Sequence, residues 1–363
     1  MAPKQPLGLV EMLSLPTLGS PALSPDGATC VYQVSESDWE PDKKRRSGHL
    51  FAVATSGETP PVQLTQGGGE GGALWSPDSS AVAFTTSRSG DSGSQIYILP
   101  ATGGEARRLT EGLRRVSGLS TWSSDGWIYF TCLADPTPGV LDTMGLIHGF
   151  NSPGDKSPYV FEEDMPQTMV CRVHAVEGTV EHLTPSDCTA TSWSVSADGS
   201  KIVWHRAVST LLDDARMAPH EIWLQDSDGS NAHKLGFPLP QPASGGKLSP
   251  DGTQLAFTMS ATPDQEYSYT STLFLASVDS TEPAVALPPL EGGSNTISSF
   301  LWTEAGDALL VNANLGAKDA CRLCHFRVKR IVLPRQARDK HRESTAQKER
   351  PIFRRRPPRY LPL

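Results

Sequence analysis

The stretch Trp75-Ser76-Pro77-Asp78-Ser79, followed by Ala81-Val82-Ala83-Phe84, decides the fold because it keeps returning. Earlier in the chain it is Leu23-Ser24-Pro25-Asp26-Gly27. Later it is Trp122-Ser123-Ser124-Asp125-Gly126, Val195-Ser196-Ala197-Asp198-Gly199 and Leu248-Ser249-Pro250-Asp251-Gly252, with a degenerate sixth copy at Trp302-Thr303-Glu304-Ala305-Gly306. The period is about 50 residues, the size of a propeller blade. One interval, Asp125 to Asp198, is longer and holds an insertion over 133–168.

The chemistry of the motif is that of a turn. Proline presets φ for the first central position, aspartate hydrogen-bonds its local backbone, and glycine accepts positive φ. Short β-branched and aromatic runs follow each copy, such as Trp127-Ile128-Tyr129-Phe130 and Lys201-Ile202-Val203-Trp204, and these are too short for helices. A second strand pair with a glycine turn completes the unit, as in Gln95-Ile96-Tyr97-Ile98-Leu99, Thr102-Gly103-Gly104-Glu105 and Ala106-Arg107-Arg108-Leu109-Thr110. The expected fold class is therefore all-β: a β-propeller of four-stranded antiparallel blades, about six repeats with the last incomplete. Residues 1–22 read as a lead-in, 23–318 as the propeller and 319–363 as a basic, disordered tail. Asp26, Asp78, Asp125, Asp198 and Asp251 occupy one place in every repeat, which makes them structural turn-formers and not catalytic acids or metal ligands. Trp75, Trp122, Trp193 and Trp302 read as packing between blades.

Composition agrees with a loop-rich β protein. The 363 residues include 32 Gly and 30 Pro, and no apolar run reaches the length of a membrane helix. Met1 to Pro16 lacks the order of segments found in an export signal, so the expected location is cytoplasmic, without a membrane partner. Cys30, Cys132, Cys171 and Cys188 are then expected as free thiols. Net charge is −8, split between a body with 18 basic and 37 acidic residues and an end, 321–363, with 14 basic and 3 acidic.

The phrases Trp75-Ser76-Pro77-Asp78, Ala83-Phe84-Thr85-Thr86-Ser87-Arg88, Gln95-Ile96-Tyr97-Ile98-Leu99 and Gly103-Gly104-Glu105-Ala106-Arg107-Arg108-Leu109-Thr110 resemble a TolB-type blade. More narrowly they resemble the N-terminal propeller of the prolyl oligopeptidase family, in its acylaminoacyl-peptidase and dipeptidyl-aminopeptidase branch. The resemblance covers Leu9 to about Asn314. It implies a propeller that limits substrate entry to a C-terminal α/β-hydrolase, a serine-type peptidase. Nothing of that hydrolase is legible here. The G-x-S-x-G elbow is absent, as is an HGGG-type segment, and the nearest fragment, Gly118-Leu119-Ser120-Thr121-Trp122, lacks the second glycine. The chain is accordingly read as non-catalytic, with no catalytic residue, no metal ligand and no cofactor. Its expected role is to bind peptide or protein. The alternatives are a family-assigned peptidase whose catalytic domain is missing and a TolB-like interaction propeller.

Two segments stand apart. In dipeptidyl-peptidase relatives a glutamate pair on the propeller binds the substrate's free amino terminus, and Glu162-Glu163 in the insertion resembles it in type, since two carboxylates hold an ammonium by charge-assisted hydrogen bonds. A solvated acidic loop is the competing reading. At the C-terminus, charge and repeat change together near Asp319, which points to an alternative splice or a shifted frame. Cys321-x-x-Cys324-His325 has the spelling of a haem attachment site but no export signal to go with it, and a lone CxxC lacks the second pair of a zinc site. The basic run carries too few aromatics to favour nucleic acid. An incomplete ring exposes strand edges, so self-association is the remaining partner expectation.

Overall fold

A computed structural model describes residues 8, 12–38, 45–91, 93–134, 167–207, 221–239, 243–260, 271–287, 295–315 and 327–332. The SPDG turns join the first two strands of each blade, and the glycine turns join the last two. Blade 1 is β1 (Thr17–Leu23), β2 (Thr29–Asp38), β3 (Arg45–Ala54) and β4 (Val62–Gln63), and blade 2 is β5 (Gly71–Trp75), β6 (Ala81–Thr86), β7 (Gln95–Pro100) and β8 (Arg107–Arg108). Blade 3 is β9 (Arg114–Trp122), β10 (Trp127–Leu133), β11 (Thr168–His174) and β12 (Val180–His182). Blade 4 is β13 (Ala190–Val195), β14 (Lys201–Arg206), β15 (Glu221–Asp226) and β16 (His233–Lys234). Blade 5 is β17 (Ala243–Leu248), β18 (Gln254–Ser260), β19 (Ser271–Ser277) and β20 (Val285–Ala286), and blade 6 is β21 (Asn295–Trp302), β22 (Ala308–Leu315) and β23 (Arg327–Val332). Every pairing is antiparallel between consecutive strands, the meander of a propeller blade.

Two boundaries differ from the sequence reading. β1 lies in the stretch taken as lead-in, because the first strand of a blade precedes its turn. β23 lies inside the stretch taken as tail, pairing Leu309 with Ile331 and Val311 with Lys329. Val328, Ile331 and Val332 supply β-branched residues there, but the surrounding Arg and Lys mask the pattern. Residues 319–326 and 333–363 lie outside the described residues.

Each turn is braced by a relay. The Ser76 hydroxyl donates to Asp78 at 2.6 Å and accepts from the Ala81 N–H at 2.9 Å. Ser196 repeats this with Asp198 and Lys201, and Ser249 with Asp251 and Gln254. The sixth turn keeps the chemistry in altered spelling: the Thr303 hydroxyl donates to Asp307 at 2.9 Å and accepts from the Ala308 N–H at 3.2 Å. Left-handed backbone is needed after the aspartate, with φ 72° at Gly27 and 75° at Gly199, and Ser79 adopts φ 60° in the second copy.

A second brace recurs at the end of the fourth strand, in the pairs Leu64-Thr65, Leu109-Thr110 and Leu183-Thr184. The buried Thr hydroxyls accept from the Leu50, Ile96 and Val170 N–H groups at 2.9 Å each. Thr110 also donates to Gln95 at 2.9 Å.

Among the described residues the core consists of five apolar clusters, one at each junction between successive blades. Alternation on the second strand builds them. In β10, Ile128 and Phe130 point back to blade 2, while Tyr129 points forward to blade 4. In β18, Leu255 and Phe257 point back and Ala256 forward. Aromatic residues opposite one another across the second and third strands thicken this layer, as in Phe84 with Tyr97, Trp204 with Trp223 and Phe257 with Phe274. Trp75, Trp122, Trp193 and Trp302 each pack into one of these clusters. The indole of Trp75 donates to the Ala22 carbonyl of blade 1 at 3.0 Å, and that of Trp302 to Lys247 of blade 5 at 2.9 Å. Cys30, Cys132, Cys171 and Cys188 are free thiols. Hydrogen bonding to Cys132 and burial push the Cys171 thiol far above its usual range. No helix among the described residues is long and apolar enough to cross a membrane.

Two outcomes are expected from these braces. Thr110→Val removes the acceptor of a buried N–H at unchanged volume and should cost about 1–3 kcal/mol in urea unfolding. Asp78 is held at about 2, first by the Ser76 hydroxyl and then by Ser80. Because this folded value is depressed, its contribution is complete above the unfolded value near ~3.9 and is lost as pH falls toward ~2. The melting temperature should therefore fall across that window, and Ser76→Ala should make the fall shallower.

Candidate functional site

The two ends of the propeller differ. One end carries the short turns between first and second strands and between third and fourth strands. The other carries the connections between second and third strands and the links from blade to blade. The strands that flank 39–44, 135–166, 208–220, 261–270 and 316–326 have their ends at this second end, the loop face; those connections themselves lie outside the described residues. Long connections held on a rigid scaffold are where binding residues concentrate.

Asp26, Asp78, Asp125, Asp198 and Asp251 stand at the opposite end, one per blade. Each is tied to its own turn serine, so they do not converge on a common centre. Hydrogen bonds from these serines are the largest cause holding Asp26, Asp198 and Asp251 below the usual carboxylate range. Glu162 and Glu163 belong to the β10–β11 connection and lie outside the described residues.

On the loop face, the link between blades 1 and 2 contains a residue the sequence reading passed over. Glu70 sits in the Gly67–Gly72 run and is fully buried. Its N–H donates to the Gly48 carbonyl at 3.0 Å, and its carbonyl accepts from the Gln33 side chain at 2.8 Å. The carboxylate lies 3.4 Å from Nδ1 of His49, and neither of its oxygens accepts a hydrogen bond. Two glycines make room for it. A Cβ on Gly67 would come within 2.7 Å of its Oε1, and one on Gly48 within 2.7 Å of Gln33 Nε2. The signal available in the sequence was one carboxylate within a run of five glycines, just before a first strand.

Further round the same end, Asp91 gathers three donors: the Arg88 N–H at 2.9 Å, the Tyr97 hydroxyl at 2.9 Å and Arg108 at 3.0 Å. The Arg88 N–H is the largest cause keeping Asp91 below the usual range, while burial raises Tyr97. The Arg88 guanidinium lies over the Tyr97 ring at 4.3 Å. In blade 4, Glu221 accepts from Lys234 at 2.9 Å and from the Trp223 indole at 3.1 Å, with Arg206 at 3.6 Å. Lys234 is the main cause of its lowered pKa. Among the described residues, no three His, Cys, Asp or Glu side chains are grouped to hold a metal ion. The loop face thus carries paired charges, aromatic rings and one buried acid.

No family model matches the chain. The uncharacterised peptidase YuxL of Bacillus subtilis is 31% identical over 116 residues, covering 32% of this chain and 17% of YuxL. The uncharacterised protein Atu1656 of Agrobacterium fabrum is 27% identical over 258 residues, covering 62% of this chain and 86% of that protein. Among solved structures, the acylaminoacyl peptidase of Pyrococcus horikoshii superposes with a TM-score of 0.54 at 14% identity, covering 84% of this chain and 44% of the peptidase. A putative TolB from Agrobacterium tumefaciens gives a TM-score of 0.45 at 20% identity, covering 82% of this chain and 90% of the other. What the superposition on the acylaminoacyl peptidase shows is a shared fold. The chain spans less than half the length of the acylaminoacyl peptidase and under a fifth of YuxL.

A buried acid without hydrogen bonds costs stability, and such strain persists where it serves a site. Glu70→Gln should therefore raise the thermal midpoint, read by circular dichroism. A lower midpoint would make Glu70 a structural member of the blade 1–2 junction.

Proposed function

We propose that this chain is a non-catalytic propeller module, related to the propellers of peptidases, that binds peptide or protein segments on its loop face. The observation that carries the reading is the difference in coverage between its relatives. Atu1656 is matched over 86% of its length, whereas the acylaminoacyl peptidase is matched over 44%. The matched region thus takes up most of one relative and less than half of a larger peptidase. The chemistry of the loop face supports recognition: charged pairs around Asp91 and Glu221 and the Arg88–Tyr97 stack can engage peptide carbonyls, amides and side chains. Glu162 and Glu163, in the β10–β11 connection, are assigned to a free amino terminus in this reading.

Purified chain treated with a fluorophosphonate probe should stay unlabelled, and stoichiometric labelling of a serine would overturn the non-catalytic reading. Fluorescence anisotropy with one unstructured peptide in free and N-acetylated forms checks the acidic pair. The free form should bind more tightly, and the combined Glu162→Gln and Glu163→Gln change should remove the difference. Equal binding of both forms by the parent chain would sink that role.

A further inference from the structure

The five blade junctions are built from one repeated pair of surfaces. The forward surface of each blade presents the middle residue of its second strand: Val31, Ala83, Tyr129, Val203 and Ala256. All five are 0% exposed. The backward surface of the next blade presents the two flanking residues of its second strand, as in Val82 with Phe84, Ile128 with Phe130 and Leu255 with Phe257, together with the residue before the turn serine, such as Trp75 or Leu248.

Among the described residues, no other blade covers one surface of each of the two outermost blades. Leu310 is the forward residue of blade 6, in register with the five named above, and it is 44% exposed. Beside it Leu301, in the place of the buried-side Leu74, is 55% exposed. On the backward surface of blade 1, Leu23 takes the place of Trp75 and is 60% exposed. Cys30 and Tyr32, in the places of Val82 and Phe84, are only half-buried, and Tyr32 stacks on Phe51 at 6.0 Å as Phe84 does on Tyr97. None of the five clusters joins blade 6 to blade 1.

The geometry points to a second copy of this chain as the occupant: the blade 1 surface of one molecule packs on the blade 6 surface of another. The argument is complementarity. One chain displays both halves of a junction that it already makes five times within itself. Nothing in such a contact needs new chemistry, only apolar side chains entering the spaces that Trp75 and Phe84 fill inside the chain. Because the two surfaces differ, the contact is head-to-tail, and it leaves one surface free at each end for a further copy.

The test uses the whole chain and its variants Leu23→Glu and Leu310→Glu, followed by light scattering and sedimentation over a concentration series. The parent should gain mass with concentration and pass beyond two copies. Each variant alone should stay a single copy, since one surface is blocked. Mixed in equal amounts, they should form a species of two copies and no more, because each retains the surface the other lacks. Both leucines are already exposed, so circular dichroism should match the parent. Should either variant unfold, Leu23→Gln and Leu310→Gln repeat the design. A parent that remains one copy at every concentration overturns the proposal. So does a variant that pairs with itself, which would mean like surfaces meet, and so does a mixture that grows past two copies.

Discussion

Blade-on-blade packing through the second strand is the contact on which the molecule depends. A four-stranded sheet only about six residues wide can bury little on its own, so both of its faces must be covered. Period-two alternation sends residues such as Ile128 and Phe130 one way and Tyr129 the other, and each blade thereby completes the core of both neighbours. Stability in such an array is a sum of junctions. Among the described residues, the outermost blades each have one surface that no other blade covers, marked by the exposed Leu23 and Leu310.

The braces serve that packing. Short outer strands such as β4 and β8 have too few ladder bonds to hold themselves, and the buried Thr65, Thr110 and Thr184 hydroxyls anchor their ends to the third strand. The Ser–Asp relays fix the other end, where the chain reverses beside the next blade. Asp26 shows the link between neighbouring turns, its N–H donating to the Ser79 hydroxyl at 3.2 Å. With one end bound in tight turns, length variation falls on the loop face. The paired charges around Asp91 and Glu221 and the buried Glu70 lie at that end.

Much of this was legible beforehand. The aspartates, prolines and glycines of the turns announce themselves because turn chemistry is local: a hydroxyl, a carboxylate and a positive φ within five residues. The inter-blade tryptophans were legible from their place beside the turns, Trp75, Trp122 and Trp302 directly before the turn hydroxyl residue and Trp193 three residues before Ser196. β23 was not, because Arg327, Lys329 and Arg330 interrupt its pattern, and pairing with β22 is a contact across the blade. Asp307 escaped notice because the sixth turn moves its carboxylate to the other side of the glycine.

The sequence by itself determined the number of repeats, the all-β class, the four-strand unit and the character of the five recurring aspartates. Each of these follows from periodicity and from interactions among residues close along the chain. Only the tertiary structure decided that Glu70 lies against His49 with Gly67 and Gly48 making room, and that Leu23 of the first blade and Leu310 of the last are exposed where their counterparts in other blades are buried or half-buried. Both are consequences of which segments meet in space, where residues more than twenty positions apart come within a few ångströms. No local rule of turn or strand specifies such meetings.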